Sequence, residues 1–385
     1  MVVPVVAFAA IVSYLLYLSN KSSNKPPKQD TDPDGVPATA AHHRQSIFSH
    51  KTPCKSFLRH NTDRDLENKV LIKCGKSGNM NAQLVSNILN NFEIVDGLQE
   101  LISFSLGDIM ECRADRRLTP NVEVKIVKGF DAFYFGKGKH RYIDNSIVQV
   151  ASQFNFLEST RTSHMPLKEY YKDRTQGPQA SLGCPGMLAH RNSIFKNKNS
   201  SAIQPFFKDF PKKVYEGGYF MPTHIDQRME ALKYVVSEWR NLRVLIQSGK
   251  TVFGTNTTQV FMAAPSFQNE GVPVDPHICE MCKIIVGHQY EALGVLAALQ
   301  SKATHSPVNL HVTLVGQGAF NNPPDVLKKS FLLMLQALQG HNVIVYIHAY
   351  SDDDLDKVNK TLIGYMSNDE IARIEKIDKV EFCQR

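Results

Sequence analysis

The sequence has 385 residues, with 44 Lys and Arg against 37 Asp and Glu, a net charge of +7, 42% hydrophobic and 21% charged residues. That length fits one large or two ordinary domains, and the hydrophobic share excludes a chain without a packed core. The excess of positive charge is mild and scattered, which excludes a concentrated nucleic-acid-binding arm.

Taken in chain order, Val2 to Leu18 ("VVPVVAFAAIVSYLLYL") contains no charge. Its length lies at the short end of the ~17–25 residues that cross a bilayer. Lys21, Lys25 and Lys28 follow it at once. The positive-inside rule then puts the rest of the chain in the cytosol. A cleaved signal peptide is the alternative, but no basic stretch precedes the run and no clear small-x-small site follows it. The sequence therefore predicts a single-pass anchor over 1–19. Residues 20–60, rich in Lys, Pro, Asp, Ser and His, predict a flexible tether, because nothing there can offset the entropy of ordering by burial. Sequons begin at Asn199, Asn256 and Asn359, but on this topology they never meet the transferase.

Residues 61–118 predict a helical extension, with Leu84, Ile88, Leu89, Phe92, Ile94, Leu98 and Leu101 at steps of three and four. From 119 to 385 strands and helices alternate. "VEVKIV" and "SIVQVA" read as strands. "HIDQRMEALKYVVSEWRNLRVLI" reads as a helix running into a strand, and "TTQVFMAAPSF" as a strand. "HICEMCKIIVGHQYEALGVLAALQSK" reads as a long apolar helix. "NLHVTLVG", "PDVLKKSFLLMLQAL", "NVIVYIHAY" and "DDDLDKVNKTLIGYM" continue strand, helix, strand, helix. This pattern predicts an α/β fold, a sheet covered by helices on both faces.

Seven cysteines, odd in number and scattered, do not form a disulfide framework and point to a reducing compartment. Only Cys279 and Cys282, in "CEMC", have suggestive spacing, and no second pair stands at zinc-finger distance. A redox or metal role competes there with a helix that simply buries both thiols.

The stretch "VTLVGQGAFNNPPD" (312–325) ends an apolar strand on two glycines before a helix. Ligands of such sheets sit beyond the carboxyl ends of the strands, and glycines let backbone N–H groups approach a phosphate. A plain strand-to-helix turn is the alternative.

The order "SIVQVASQFNFLES", "QYEALGVLAAL", "VNLHVTLVGQGAFNNPP" and "VIVYIHAYSDDDLDKV" resembles the macrodomain, an ADP-ribose-binding three-layer α/β/α family with a mixed sheet. "ASQFNFLE", "DRTQGP", "TTQVFMAAPS" and "HQYEALGVLAAL" resemble a divergent group of it. That group includes a bacterial effector that removes ADP-ribose from ubiquitin. The likeness spans roughly 120–365. The usual triple-glycine loop is replaced by the thinner "TQGP", and "KGFDAF" only loosely resembles the family's adenine-contacting Gly-Asp.

The resemblance implies a phosphate loop of Gly316, Gln317, Gly318, Ala319 and Phe320, with Phe320 against the distal ribose. It implies ribose contacts from Asn155 and approach to the diphosphate by Gln176 and Gly177. It implies that Asp173, Glu158 and Glu291 are the candidate catalytic carboxylates, since cleavage at the ribose C1″ develops oxocarbenium character that a carboxylate stabilises. Self-bonding of Asn155 within its loop and capping of a turn by Asp173 are the competing readings. Gln259 and Tyr290 read as sheet or packing residues, and His190 and Arg191 as anion contacts or helix surface. The expected protein is a membrane-tethered, monomeric ADP-ribosyl hydrolase that needs no cofactor or metal, acting on an ADP-ribosylated protein, ubiquitin among the candidates. The rival is a non-catalytic reader of the same group, and a CxxC redox or metal protein is a third class.

Overall fold

The computed structural model describes residues 85–86, 103–112, 122–128, 145–160, 163–173, 175–196, 206–207, 210, 214–250, 256–267, 275–363 and 374–378. The expected anchor, the tether, most of the helical extension and most of "KGFDAF" lie outside these residues. Among the described residues no helix is long and apolar enough to cross a membrane.

Among the described residues, eight strands form one sheet, β1 (Ser103–Ser105), β2 (Val122–Lys128), β3 (Ser146–Ala151), β8 (Arg243–Lys250), β9 (Asn256–Met262), β10 (Val308–Val312), β11 (Val343–Ala349) and β12 (Glu375–Asp378). Their order is β1-β8-β9-β3-β10-β11-β2-β12. The run from β9 to β12 is parallel, while β8 is antiparallel to both β9 and β1. Two short hairpins stand apart, β4 (Ser159–Thr160) with β5 (Ser163–His164), and β6 (Tyr215–Glu216) with β7 (Tyr219–Phe220).

The helices fully within the described residues are α1 (Leu106–Glu111), α2 (Gln176–Gly183), α3 (Pro185–Lys196), α4 (Arg228–Glu238), α5 (Pro276–Thr304), α6 (Pro324–Leu338) and α7 (Asp352–Leu362). Alternation along the strands divides them between the two faces of the sheet. Ile147, Val244, Ile246, Val260, Met262, Leu310 and Val312 point into one core with Leu293, Leu296 and Phe331 from α5 and α6. Val148, Val150, Leu245 and Phe261 point into a second core with Ala180, Cys184, Met187 and Ile194 from α2 and α3. The architecture is therefore the mixed sheet between helix layers that the sequence predicts.

The N-terminal edge of the sheet differs from the sequence reading. "ISFSL" ends as strand β1 and enters α1 through Ser105, whose hydroxyl accepts from Asp108 N while the Asp108 carboxylate accepts from Ser105 N. Because β1 pairs with β8, the sheet takes in residues on the N-terminal side of position 119. The segment standing in place of the glycine-rich loop folds as a 3-10 turn (Leu167–Lys172) followed by α2 and α3.

The longest helix, α5, starts at Asp275, whose carboxylate accepts from His277 N and Ile278 N. At Cys279 and Cys282 burial pushes both thiols up, leaving them protonated at neutral pH and poor as nucleophiles or metal ligands. Gly294 lets α6 approach closely, since a Cβ there would stand 2.7 Å from Met334 O and 2.9 Å from Ala337 Cβ. Substituting Gly294→Ala gains up to ~1 kcal/mol of helix propensity but overpacks this contact by about 1–3 kcal/mol. A lower urea midpoint at unchanged slope is expected, and a raised midpoint would show that the helices separate freely.

Candidate functional site

The connections leaving β3 and β10 diverge. After β3 the chain goes on to α2 and α3 on one face, and after β10 it goes to α6 on the other. Since β3 and β10 are parallel neighbours, a topological switch point opens between their carboxyl ends. The β3 end carries 152–158 and the β10 end carries 313–323, the two stretches singled out in the sequence.

The β3 loop turns sharply. Gln153 N donates to Leu157 O and Phe156 N to Gln153 O, which drives Phe156 to a φ of 64°. A buried phenylalanine in the left-handed region costs on the order of 1–3 kcal/mol, and its ring in the second core holds it there. Asn155 braces this turn. Its Oδ1 accepts from Leu157 N, its Nδ2 lies 2.6 Å from His164 Nε2, and it is only 1% exposed. The side chain is thus committed to its own loop rather than offered to a ribose.

Glu158 follows at the mouth of the loop. Its Oε1 lies 3.3 Å from both terminal nitrogens of Arg191, a guanidinium with no exposed surface that stacks 4.3 Å from the Phe261 ring centroid. Glu158 N donates to Tyr170 Oη. Gly177 backs onto the same carboxylate, where a Cβ would fall 1.9 Å from Oε1. Burial raises the Glu158 carboxyl to about 7, Arg191 opposes that rise, and the nearby Asp173 carboxylate adds to it. Burial likewise pushes the Tyr170 hydroxyl up to about 12.

Asp173 closes the 3-10 turn, and its Oδ1 accepts from Thr175 N at 2.7 Å and Thr175 Oγ1 at 2.6 Å. It is therefore a turn-capping carboxylate that also sits in the field of Glu158. Gln176 is a sheet-end brace: its Oε1 accepts from Ala151 N and its Nε2 donates to Gln149 O. Gln179 Nε2 donates to Asp173 O.

The β10 loop is fixed from several sides. Thr313 N and Oγ1 donate to Gln149 Oε1, and Val315 N donates to Tyr290 Oη. Gly316 has a φ of 82° and sits against Ala264 and Asn322, where a Cβ would come within 2.8 Å of each. Asn322 Nδ2 donates to Pro265 O and Gly316 O, tying the loop to the end of β9. Gln317 turns its side chain inward, with Nε2 donating to Asn322 O. Gly318 and Ala319 are exposed, and a Cβ on Gly318 would meet nothing within 4 Å. Among the described residues, the consecutive N–H groups of Gly318, Ala319 and Phe320 find no acceptor.

The β6–β7 hairpin joins the two loops, a connection that the sequence reading missed. Gly218 O accepts from Phe154 N, and Gly217 O accepts from Ser159 Oγ. The Tyr219 hydroxyl donates to Ser159 O, and its ring meets Phe320 edge-on with centroids 5.8 Å apart. Burial and the Glu158 charge both push this hydroxyl's pKa up. The signal was "YEGGYF": two glycines with φ of 59° and 89° between two tyrosine-bearing pairs form the left-handed turn of a tight hairpin. A further exposed aromatic, Tyr350 at 72%, follows the end of β11 on the same edge.

Glu291 does not join this group. It lies on α5 in the opposite helix layer, with Oε2 2.8 Å from His288 Nδ1, and the His288 ring stacks on Trp239 at 3.6 Å. The site that assembles is thus Glu158, Asp173 and Tyr219 beside the open Gly318–Phe320 turn. Asn155, Gln176 and Gly177 are its braces.

No family model and no curated protein matches the chain. Among solved structures, an Oceanobacillus iheyensis macrodomain variant is 11% identical over 65% of this chain and 96% of its own, with a TM-score of 0.35. A second variant of that protein, solved with ADPR, is 11% identical over 65% and 97%, with a TM-score of 0.34. The Trypanosoma brucei macrodomain, in complex with ADP, is 8% identical over 74% and 97%, with a TM-score of 0.33. At such identities and TM-scores nothing about ligand or activity passes to this chain.

Because Glu158 is raised from 4.5 to about 7, the folded state binds more protons than the unfolded state between those values. The stabilisation is complete below the unfolded value and is lost as pH rises through 7. Relative to Glu158→Gln, the wild type is expected to lose on the order of 2–3 kcal/mol across that window. Parallel stability curves for the two proteins between pH 4 and 8 would refute the raised carboxyl.

Proposed function

We propose that this chain binds ADP-ribose at the switch point between β3 and β10 and hydrolyses its glycosidic link to a modified protein. One observation supports it above the others. An exposed turn with three unclaimed N–H groups stands beside a carboxyl poised to hold or release a proton near neutrality. Successive backbone N–H groups after a left-handed residue favour an anion, here the diphosphate. Phe320 and Tyr219 supply apolar surface for the distal ribose, and exposed Tyr350 supplies a face for base stacking. Glu158 then protonates the departing acceptor atom or takes a proton from the attacking water at C1″. The sequence motifs from "SIVQVASQFNF" to "VTLVGQGAFNNPP" are consistent with this reading.

A second reading, a reader without turnover, is favoured by a separate fact. The Asp173 carboxylate is engaged by Thr175, so the carboxylate nearest to Glu158 already serves as a turn cap. On either reading, the N-terminal apolar run would carry the module to a membrane.

Calorimetry with ADP-ribose on the full chain is expected to give saturable binding. Gly318→Val, which places a side chain over the free N–H groups in otherwise open space, is expected to weaken it at least tenfold with little change in stability. Unchanged affinity in that variant would remove the turn from the site. With an ADP-ribosylated protein as substrate, Glu158→Gln is expected to abolish release of ADP-ribose while affinity stays within a few-fold. Absence of release by the wild type would leave the reader.

A further inference from the structure

We propose that Lys357, on α7, is a positioning residue that sets the direction and donor strength of the Gly318 N–H. The inference rests on the reading of the Gly318–Phe320 turn as an anion site. Lys357 Nζ lies 3.2 Å from Gln317 O and 3.4 Å from Asp354 Oδ1. The Gln317 carbonyl and the Gly318 N–H belong to one peptide unit. That unit is planar and trans, so the two groups point in opposite directions. An ammonium on the carbonyl fixes the plane and leaves the N–H facing away from α7. It also draws electron density through the amide, making the N–H a stronger donor, as in polarised hydrogen-bond chains.

The rest of the loop does not do this work. Gln317 N donates to Leu314 O and the Gln317 side chain donates to Asn322 O, so neither bond touches the Gln317 carbonyl. Gly316 O accepts from Asn322 N and Gly318 O from Asn321 N, which fixes the peptides on either side, while among the described residues the Gln317 carbonyl between them takes its hydrogen bond from Lys357. Asp354 lies one turn back on α7 and keeps the ammonium over the carbonyl. Lys357 thus delivers the effect of a positive charge through the backbone, without needing to touch the anion.

The test compares Lys357→Met, Lys357→Arg and, as a control, Lys360→Met, which removes the same charge from an exposed position on the same helix. In the ligand-free protein, the amide proton and nitrogen shifts of Gly318 are expected to move in Lys357→Met, to be partly restored in Lys357→Arg, and to stay put in Lys360→Met. The ADP-ribose Kd is expected to rise about tenfold in Lys357→Met alone, the scale of one charge-assisted hydrogen bond. Binding of adenosine, which lacks the diphosphate, is expected to be unchanged. If the wild type fails to bind ADP-ribose, the nucleotide reading fails, while the Gly318 shift still decides the positioning claim. A Gly318 amide indifferent to Lys357→Met, or equal losses of affinity in Lys357→Met and Lys360→Met, would overturn the proposal.

Discussion

A carboxyl group and a guanidinium share a space largely closed to water, and the carboxyl edge of the sheet is built around them. Arg191 has no exposed surface and Glu158 keeps only 15% of its side chain in solvent. Removing both charges from water costs several kcal/mol each, and the pair recovers that only with good geometry and further partners. Phe261 and Tyr170 supply aromatic faces for the guanidinium, and Gly177 supplies the gap into which the carboxylate fits. The contacts are at 3.3 Å, and Arg191 Nε has no partner among the described residues, so the pair is loosely satisfied. That slack explains why burial outweighs attraction and the Glu158 carboxyl rises towards neutrality. A tighter pair would have been a purely structural ion pair.

The loops around this pair are held by groups other than those a ligand would use. Gln149, Gln176, Gln289 and Asn322 are buried amides whose carbonyl or amino groups finish the broken edges of β3, β9 and β10. An amide side chain is suited to this because it donates and accepts in one plane, as the missing strand neighbour would. With the backbone satisfied in this way, the N–H groups of Gly318, Ala319 and Phe320 remain unclaimed. The turn is rigid behind and open in front, the condition for a preorganised anion site.

The β6–β7 hairpin gives the site its continuity. Gly218, at a φ of 89°, presses on the Asn155 amide, and Tyr219 reaches from Ser159 to Phe320. The two loops, far apart in sequence, are thereby fixed to a common third element. Asn155 therefore shapes the site from within its loop, with its side chain turned away from solvent.

The sequence by itself determined the long elements. α5, α6, β10, β11 and α7 follow from apolar residues at helical or alternating spacing, because each buries a continuous stripe or face whatever its neighbours are. It also marked the glycine turn after β10, since a Gly-x-Gly bend between strand and helix is a local backbone requirement. β1, the β6–β7 hairpin and β12 were not legible, because strands of two to four residues depend on a partner rather than on their own pattern. Only the tertiary structure decided that Glu158 meets Arg191 within the field of Asp173, that Glu291 lies in the opposite layer, and that Lys357 rests on the Gln317 carbonyl. Those facts depend on which face of the sheet each helix covers. A periodicity fixes which side of a helix is apolar, but not which carboxylate that side brings to a guanidinium.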